Sequence, residues 1–390
     1  MDFRDNPEEI EFRGVLSGWL NRVVPTLGPE PETLEDRLPR WRRWQHLLHE
    51  AGYAGLSWPG EYGGRGAGVL QQAIFVEECD QAGAPDRLNI LGEGLVGPTL
   101  IDFGTDEQKS RFLDPILTGE SIWCQLFSEP NAGSDLAALQ TKAQRDGNGW
   151  RINGQKVWSS RAQIADWGIL LARTGAADSK HRGITYFLLD MRQEGVSVRP
   201  LRHMLGGTDF NEVFIDNVWI GDDCVVGPVD DGWRIAMATL SYERVALATG
   251  RVNTQQAITD LMAQVRAAKD VDGHPLGADP VVRQKMADLY LRTTFQRLTG
   301  KRILSGMAEG AAPGPEASTA KLFTTALVEE MADFALASFG LAGQEDPDSQ
   351  RANSRWLRLA YQARGTSIAG GSTFIQRNIV AERVLGLPRA

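Results

Sequence analysis

The chain has 390 residues, 42 % apolar and 23 % charged, with a formal net charge of −9. That profile fits a globular protein with one large or two to three small structural units, each able to bury a core. The acidic excess argues against wrapping nucleic acid, which needs a basic surface, but leaves room for one local basic pocket around an anionic cofactor. Cys79, Cys124 and Cys224 are scattered and odd in number, so they read as small core residues rather than a disulfide framework or a zinc site. The five histidines show no ligand-like grouping. His46 and His49 share a helix face, but no acidic or cysteine partner is read at ligand spacing, and no metal is expected. The start, MDFRDNPEEIEF, is charged and not a signal peptide. No apolar run approaches a membrane span, and the expected location is the cytoplasm.

From about residue 3 to 120 the pattern is helical. RLPRWRRWQHLLHEAGYAG and VLQQAIFVEECDQAG are amphipathic at helical spacing and run into glycine. Between them LSWPGEYGGRGAG is too rich in Pro and Gly for regular structure. Near residue 121 the character changes to short alternating runs: GWRINGQKVWSS, WGILLARTG, ITYFLLDM, VSVRPL and NEVFIDNVWI. Turn residues punctuate them, so 121–230 reads as a compact β unit. Long helical patterns return over 231–390: WRIAMATLSYERVALATGRVNTQQAITDLMAQVRAA as one run, then VVRQKMADLYLRTTFQRLTGKRILSGM, then STAKLFTTALVEEMADFALASFG, with further helices to Val384. GAAPGP links the second and third of these. The expected class is α+β, mostly α, with an N-terminal helical domain (1–120), a central β domain (121–230) and a C-terminal helical bundle (231–390). No βαβ alternation supports a Rossmann sheet.

Four stretches have chemistry in them. LFSEPNAGSD (126–135) is kept open by Pro and Gly, so its amides and the hydroxyls of Ser128 and Ser134 can face a ring carbonyl or a pyrophosphate, or it is a plain surface turn. NGQKVWSS (153–160) puts Trp158 at a strand end before two serines, a suitable flat face and hydroxyl pair for a planar cofactor, or a core tryptophan. In TLSYERVAL (239–247), Leu240, Glu243 and Leu247 share a helix face. A carboxylate in an apolar stripe is costly to bury ionised, which suits it to proton abstraction, or it pairs with a neighbouring arginine. IAGGSTFIQRN (368–378) places Gly-Gly before Ser, Thr and a helix, bringing backbone amides close to a ligand.

Taken in order, these stretches resemble the acyl-CoA dehydrogenase family from about residue 35 to 387. SWPGEYGGRG, FGTDEQKSRFLDPILTGE, STAKLFTTALVEEMADFALASFG and QRNIVAERVLGLP add to the likeness. SEPNAGSD is similar to that family's (T/S)EPxAGSD, and NGQKVWSS to its NGxKxWITN. The resemblance implies helical terminal domains around a β-barrel-like middle domain, the last of them a four-helix bundle, and a homotetramer binding FAD. By motif position Phe127, Ser128, Gly133 and Ser134 would contact flavin and pyrophosphate. Trp158 would stack on the isoalloxazine, Ser160 would bond near N5, and Ser372 would add a further cofactor contact. Ser134, Tyr242 and Arg244 stand where members meet the acyl-CoA.

Two departures matter. Many members carry the catalytic base as Glu in a YEGT-like stretch, where this chain has Ala369-Gly370-Gly371-Ser372. Isovaleryl, some long-chain and some sterol side-chain enzymes hold the base on the helix corresponding to SYERVAL, and Glu243 matches that position. Gly370 keeps a backbone N–H for the thioester carbonyl. The resemblance therefore implies α,β-dehydrogenation of an acyl-CoA in fatty-acid or sterol catabolism, with electrons leaving to an electron-transfer flavoprotein. Secondly, where members show RxxFG and then Gln, this chain has KDVDGHPLGADP (269–280). Lys269, Asp272 and Pro280 replace the expected residues, and Thr373 and Phe374 also depart from the pattern. This fits a divergent homotetramer or a heterotetramer whose partner supplies those contacts. A non-catalytic or half-competent subunit of a hetero-oligomeric member of the family, or a same-fold flavin monooxygenase or oxidase, are the alternative readings.

Overall fold

The computed structural model describes residues 5–31, 33–176, 179–248, 254–310, 314–340 and 354–388. The chain divides into two compact units, 5–245 and 246–390.

The first unit opens with helices α1 (Pro7–Val23), α2 (Leu34–Glu50), α3 (Val69–Gln81), α4 (Gly97–Phe103) and α5 (Asp106–Thr118). Their starts are written in side chains. Asn6 accepts the Glu9 N–H at 2.9 Å while the Glu9 carboxylate accepts the Asn6 N–H at 2.8 Å. Thr105 and Gln108 repeat that reciprocal cap on α5. The amphipathic stripe of α2 buries Trp41, Trp44 and Leu48. The SWPGEYGG segment is more regular than expected, because Gly60–Tyr62 makes one 3-10 turn. His46 Nε2 lies 3.2 Å from Glu50, so an acidic neighbour does stand within reach, contrary to the sequence expectation. The pair is exposed, and it joins no wider group of potential metal ligands among the described residues.

The strands are β1 (Trp123–Leu126), β2 (Lys142–Asp146), β3 (Gly149–Lys156), β4 (Trp167–Arg173), β5 (Ile184–Asp190), β6 (Val196–Leu201), β7 (Phe210–Gly221) and β8 (Val225–Val226). They form one sheet in the order β6-β7-β3-β2-β4-β5-β8, with β1 beside β4. Neighbours are antiparallel except that β4 runs parallel to β1 and β2. β5 is buried along almost its whole length, as its mostly apolar run ITYFLLD requires. One apolar core continues from the helices into the sheet through Trp44, Trp58, Phe112, Trp123 and Tyr186.

Helix α6 (Gly232–Ala248) follows the sheet. The Thr239 hydroxyl lies 2.8 Å from that of Thr99 on α4 and 3.4 Å from the Tyr186 hydroxyl, all three buried. In the second unit come α7 (Thr254–Ala267), α8 (Pro280–Ala308), α9 (Glu316–Phe339), α10 (Ser354–Thr366) and α11 (Thr373–Ile379). α6 and α7 cover the run expected as one long helix, and residues 249–253 between them lie outside the described residues. The GAAPGP connection falls partly outside them too. Asp279 caps α8 by accepting the Val281 N–H at 2.7 Å. Ile258, Leu261, Leu289, Leu327, Met331 and Trp356 form the core of this unit. Among the described residues no helix is long and apolar enough to cross a membrane.

Gly97 is among the glycines on which the packing of the first unit depends. A Cβ on Gly97 would fall 1.8 Å from the Trp58 ring, and that ring is almost wholly buried. Gly97→Ala is expected to destabilise by about 1–3 kcal/mol through overpacking. Urea unfolding would register this as an earlier transition, and an unchanged midpoint would contradict the packing described.

Candidate active site

β1 and β3 deliver the two motif segments to one place in the first unit. The Val157 N–H donates to the Ser128 carbonyl at 2.9 Å, so the segments are joined where their strands end. Beneath that bond Lys156 is fully buried. Its ammonium donates to the Glu129 carboxylate at 2.8 Å and to the Phe127 carbonyl at 3.1 Å. The Glu129 carboxylate also accepts the N–H groups of Gln140 at 2.6 Å and Thr141 at 2.9 Å. Two charges removed from water are tolerable because each faces the other and the remaining oxygen sites are hydrogen-bonded. Burial pushes the Lys156 ammonium down to about 8, with the Glu129 charge opposing. Burial alone would raise the Glu129 carboxyl, but the Lys156 charge and the surrounding donors outweigh it and hold the group below its ordinary value.

This anchoring leaves the crown of the loop free. Glu129 and Ala132 exchange backbone hydrogen bonds of 3.1 Å, and Gly133 and Ser134 beyond them are exposed. Phe127 is buried edge-on to Tyr186, with ring centres 5.8 Å apart. Ser128 is half-buried.

Trp158 is the unusual residue. It is 61 % exposed and its backbone is left-handed, with φ of 60°. For a bulky residue that conformation costs about 1–3 kcal/mol and persists only where the surroundings impose it. The surroundings here are specific. Ser159 is buried, its N–H donates to the Asn211 carbonyl at 3.1 Å, and Asn211 Nδ2 donates back to the Ser159 carbonyl at 2.9 Å. Ser159 Oγ, Asn211 Oδ1 and, on β1, Gln125 Nε2 are buried without a partner among the described residues. Ser160 is half-buried just beyond. An indole held open at a backbone cost next to half-buried Ser160, on a segment bonded to the loop that exposes Gly133 and Ser134, fits a planar cofactor with a pyrophosphate. FAD meets that description.

On α6, Tyr242 is half-buried and donates its hydroxyl to the Asp102 carboxylate. Burial, and then that carboxylate, push the Tyr242 phenol up, so it remains a hydrogen-bond donor. Glu243 and Arg244 occupy the next two positions of the helix, and their side chains lie outside the described residues.

In the second unit the Gly-Gly turn is tightly held. Gly370 and Gly371 have φ of 63° and 89°, the region glycine enters freely. Lys321 on α9 donates to the carbonyls of both Ala369 and Gly371, and Gln376 Nε2 donates to the Gly370 carbonyl at 2.8 Å. The Ser372 hydroxyl caps α11 by accepting the Ile375 N–H. The departing segment 269–280 forms its own small turn. There Asp270 accepts the N–H groups of Asp272 at 3.0 Å and His274 at 2.8 Å. The ligand atoms of Asp270, Asp272 and His274 come within 4.8 Å of one another and all three residues are exposed. Asp270 is thus already engaged in building the turn, which accounts for the cluster without a metal.

Glu129, Lys156, Lys321 and Gln376 carry much of this geometry and had no role in the sequence reading. All four sit inside stretches singled out there. What was missing was the pairing of Lys156 with Glu129, 27 positions earlier, and of Lys321 with carbonyls about 50 positions later.

The sequence matches the acyl-CoA dehydrogenase N-terminal domain over 6–120, the middle domain over 124–218 and the C-terminal domain over 230–385. It is 38 % identical to the acyl-CoA dehydrogenase IpdE1 of Mycobacterium tuberculosis, covering 97 % of this chain and 98 % of the relative. A chain of the ChsE4-ChsE5 complex from Mycobacterium tuberculosis superposes with a TM-score of 0.87 at 31 % identity, over the full length of both. A chain of the Tcur3481-Tcur3483 steroid ACAD gives the same score at 28 % identity, again over both full lengths.

Two outcomes follow from this geometry. Glu129→Gln strands a buried ammonium and is expected to cost about 3–5 kcal/mol at neutral pH. Because the folded-state carboxyl lies below its ordinary 4.5, its contribution is full above that pH and is lost as pH falls further. The stability gap between wild type and variant, read by urea unfolding, should therefore narrow below pH 4.5; a gap independent of pH contradicts the pairing. Trp158→Gly relieves the left-handed strain while deleting the flat face. Its apo form should unfold at no lower urea concentration than wild-type apoprotein, while FAD binds at least about tenfold more weakly. FAD affinity unchanged in fluorescence titration would remove Trp158 from the cofactor site.

Proposed function

Because the chain belongs to the acyl-CoA dehydrogenase family, we propose that it oxidises the α,β bond of an acyl-CoA thioester to the 2-enoyl-CoA with Glu243 as the base. The observation that carries this reading is the Gly-Gly turn. It has no carboxylate at 370 or 371, yet among the described residues the Gly370 N–H has no acceptor. That amide is suited to hold the thioester carbonyl, and charge building on the carbonyl oxygen lowers the cost of removing the α proton. The proton then goes to the Glu243 carboxylate, the acid that α6 supplies in the motif position. Tyr242, Ser134 and Arg244 are assigned to the acyl-CoA. Phe127, Ser128, Gly133, Ser134, Trp158, Ser160 and Ser372 would hold FAD, which when bound supplies the hydride acceptor for the β carbon. An electron-transfer flavoprotein is the proposed electron acceptor.

The substrate class is proposed as a bulky, steroid-derived acyl-CoA rather than a short linear one. Support comes from the likeness to a steroid ACAD; the base position, shared with isovaleryl, some long-chain and some sterol side-chain enzymes, is compatible with it. Assembly as a heterotetramer is a second reading favoured by a specific observation. The 269–280 segment, which would serve a partner's FAD in a homotetramer, is folded on itself around Asp270, and the similar ChsE4-ChsE5 structure is a complex of two different chains.

The test is anaerobic mixing of the purified holoenzyme with short, branched, long and steroid-derived acyl-CoA thioesters. Bleaching of the flavin band by one class is expected. Glu243→Gln should slow it by at least about 10³-fold with FAD retained. Equal bleaching in the variant overturns Glu243 as base. Oxygen consumption with peroxide or a hydroxylated product, in place of anaerobic bleaching, overturns the dehydrogenase reading.

A further inference from the structure

We infer that Lys321 is a positioning residue that aims the Gly370 amide at the substrate carbonyl and strengthens it as a donor; the inference rests on the dehydrogenase reading above. The argument begins with the peptide unit. In a planar trans peptide the C=O of one residue and the N–H of the next point in opposite directions. Fixing the Ala369 carbonyl therefore fixes the Gly370 N–H, and Lys321 Nζ takes that carbonyl. The same ammonium takes the Gly371 carbonyl, and Gln376 Nε2 takes the Gly370 carbonyl between them at 2.8 Å. Three consecutive peptide planes are thereby set from outside the turn.

The turn needs such ties. Glycine at 370 and 371 enters φ of 63° and 89° without strain but brings no side-chain sterics to define the plane. The ties to the three carbonyls supply that definition. Lys321 is well placed for the task. It is half-buried on α9, one helical turn from buried Ser318 and Thr325, and the Thr325 hydroxyl donates to its carbonyl at 3.0 Å. Gln376 is itself buried. The charge matters as well as the geometry. A cation on the carbonyl side of a peptide polarises the N–H on its other side, making it a stronger donor to developing negative charge. The Gly370 N–H points away from Lys321 and has no acceptor among the described residues.

The experiment compares wild type with Lys321→Met and Lys321→Arg. Single-turnover flavin reduction is measured with whichever acyl-CoA bleaches wild type fastest. The carbonyl stretch of the corresponding ¹³C-labelled 2-enoyl-CoA bound to each protein is measured by difference infrared spectroscopy. Lys321→Met should slow reduction about 10–100-fold. Its FAD content and melting temperature should match wild type, and its dissociation constant for the acyl-CoA should stay within about threefold. Its bound carbonyl should shift back toward the solution frequency, and Lys321→Arg should recover part of both effects. Should Lys321→Met lose FAD, Lys321→Gln, which keeps a donor without the charge, is read in the same way. A wild-type rate and carbonyl frequency in the variants, or slowing only in proportion to lost FAD, overturns the positioning role alone. Failure of every thioester to bleach wild type overturns the dehydrogenase reading, and this inference with it.

Discussion

The buried pair of Lys156 and Glu129 holds the first unit's motif segments in register. Neither charge is tolerable there alone: an isolated buried ammonium or carboxylate would have to neutralise or draw in water. Together they fasten the end of β3 to the loop after β1, and their spare hydrogen-bonding sites reach Phe127, Gln140 and Thr141. A pair of well-packed apolar residues could give similar stability. What apolar residues could not do is make three hydrogen bonds to fixed backbone atoms. The pair is best understood as a geometric device that leaves Gly133 and Ser134 at the crown and Trp158 open to solvent.

Strain and order are divided accordingly. The left-handed backbone at Trp158 sits directly after the anchored Lys156-Val157 step and before a serine locked to Asn211. A rigid frame on both sides is what allows one residue to be held in a costly conformation. In the second unit the solution is the reverse. The turn at 370–371 is unstrained because it is glycine, and its definition comes from Lys321 and Gln376. Replacing a catalytic glutamate by glycine removes the acid yet keeps the amide, so the proposed chemistry loses one function at this position and not both.

Much of the fold was legible because helices and strands announce themselves locally. The α2 stripe and the mostly apolar run of β5 each act over a few residues. The motif segments were legible for the same reason. The charged residues within them were not. A lysine at a strand end or a glutamate in a loop is ordinarily solvated, and nothing local to Lys156 signals that it is fully buried on a carboxylate in another segment. The 3-10 turn at Gly60–Tyr62 and the His46–Glu50 pair escaped notice on a smaller scale. In the first, composition hid a regular turn; in the second, an i,i+4 neighbour was passed over.

The most direct test of this account is the FAD dissociation constant of the Lys156→Met, Glu129→Leu double variant, in which the pair is replaced by apolar residues of similar length. The account expects a folded protein, since no charge is left unpaired, with FAD binding weakened at least about tenfold because the Ser128 and Trp158 segments are no longer held in register. Wild-type affinity in that variant would contradict the claim that this pair builds the cofactor site.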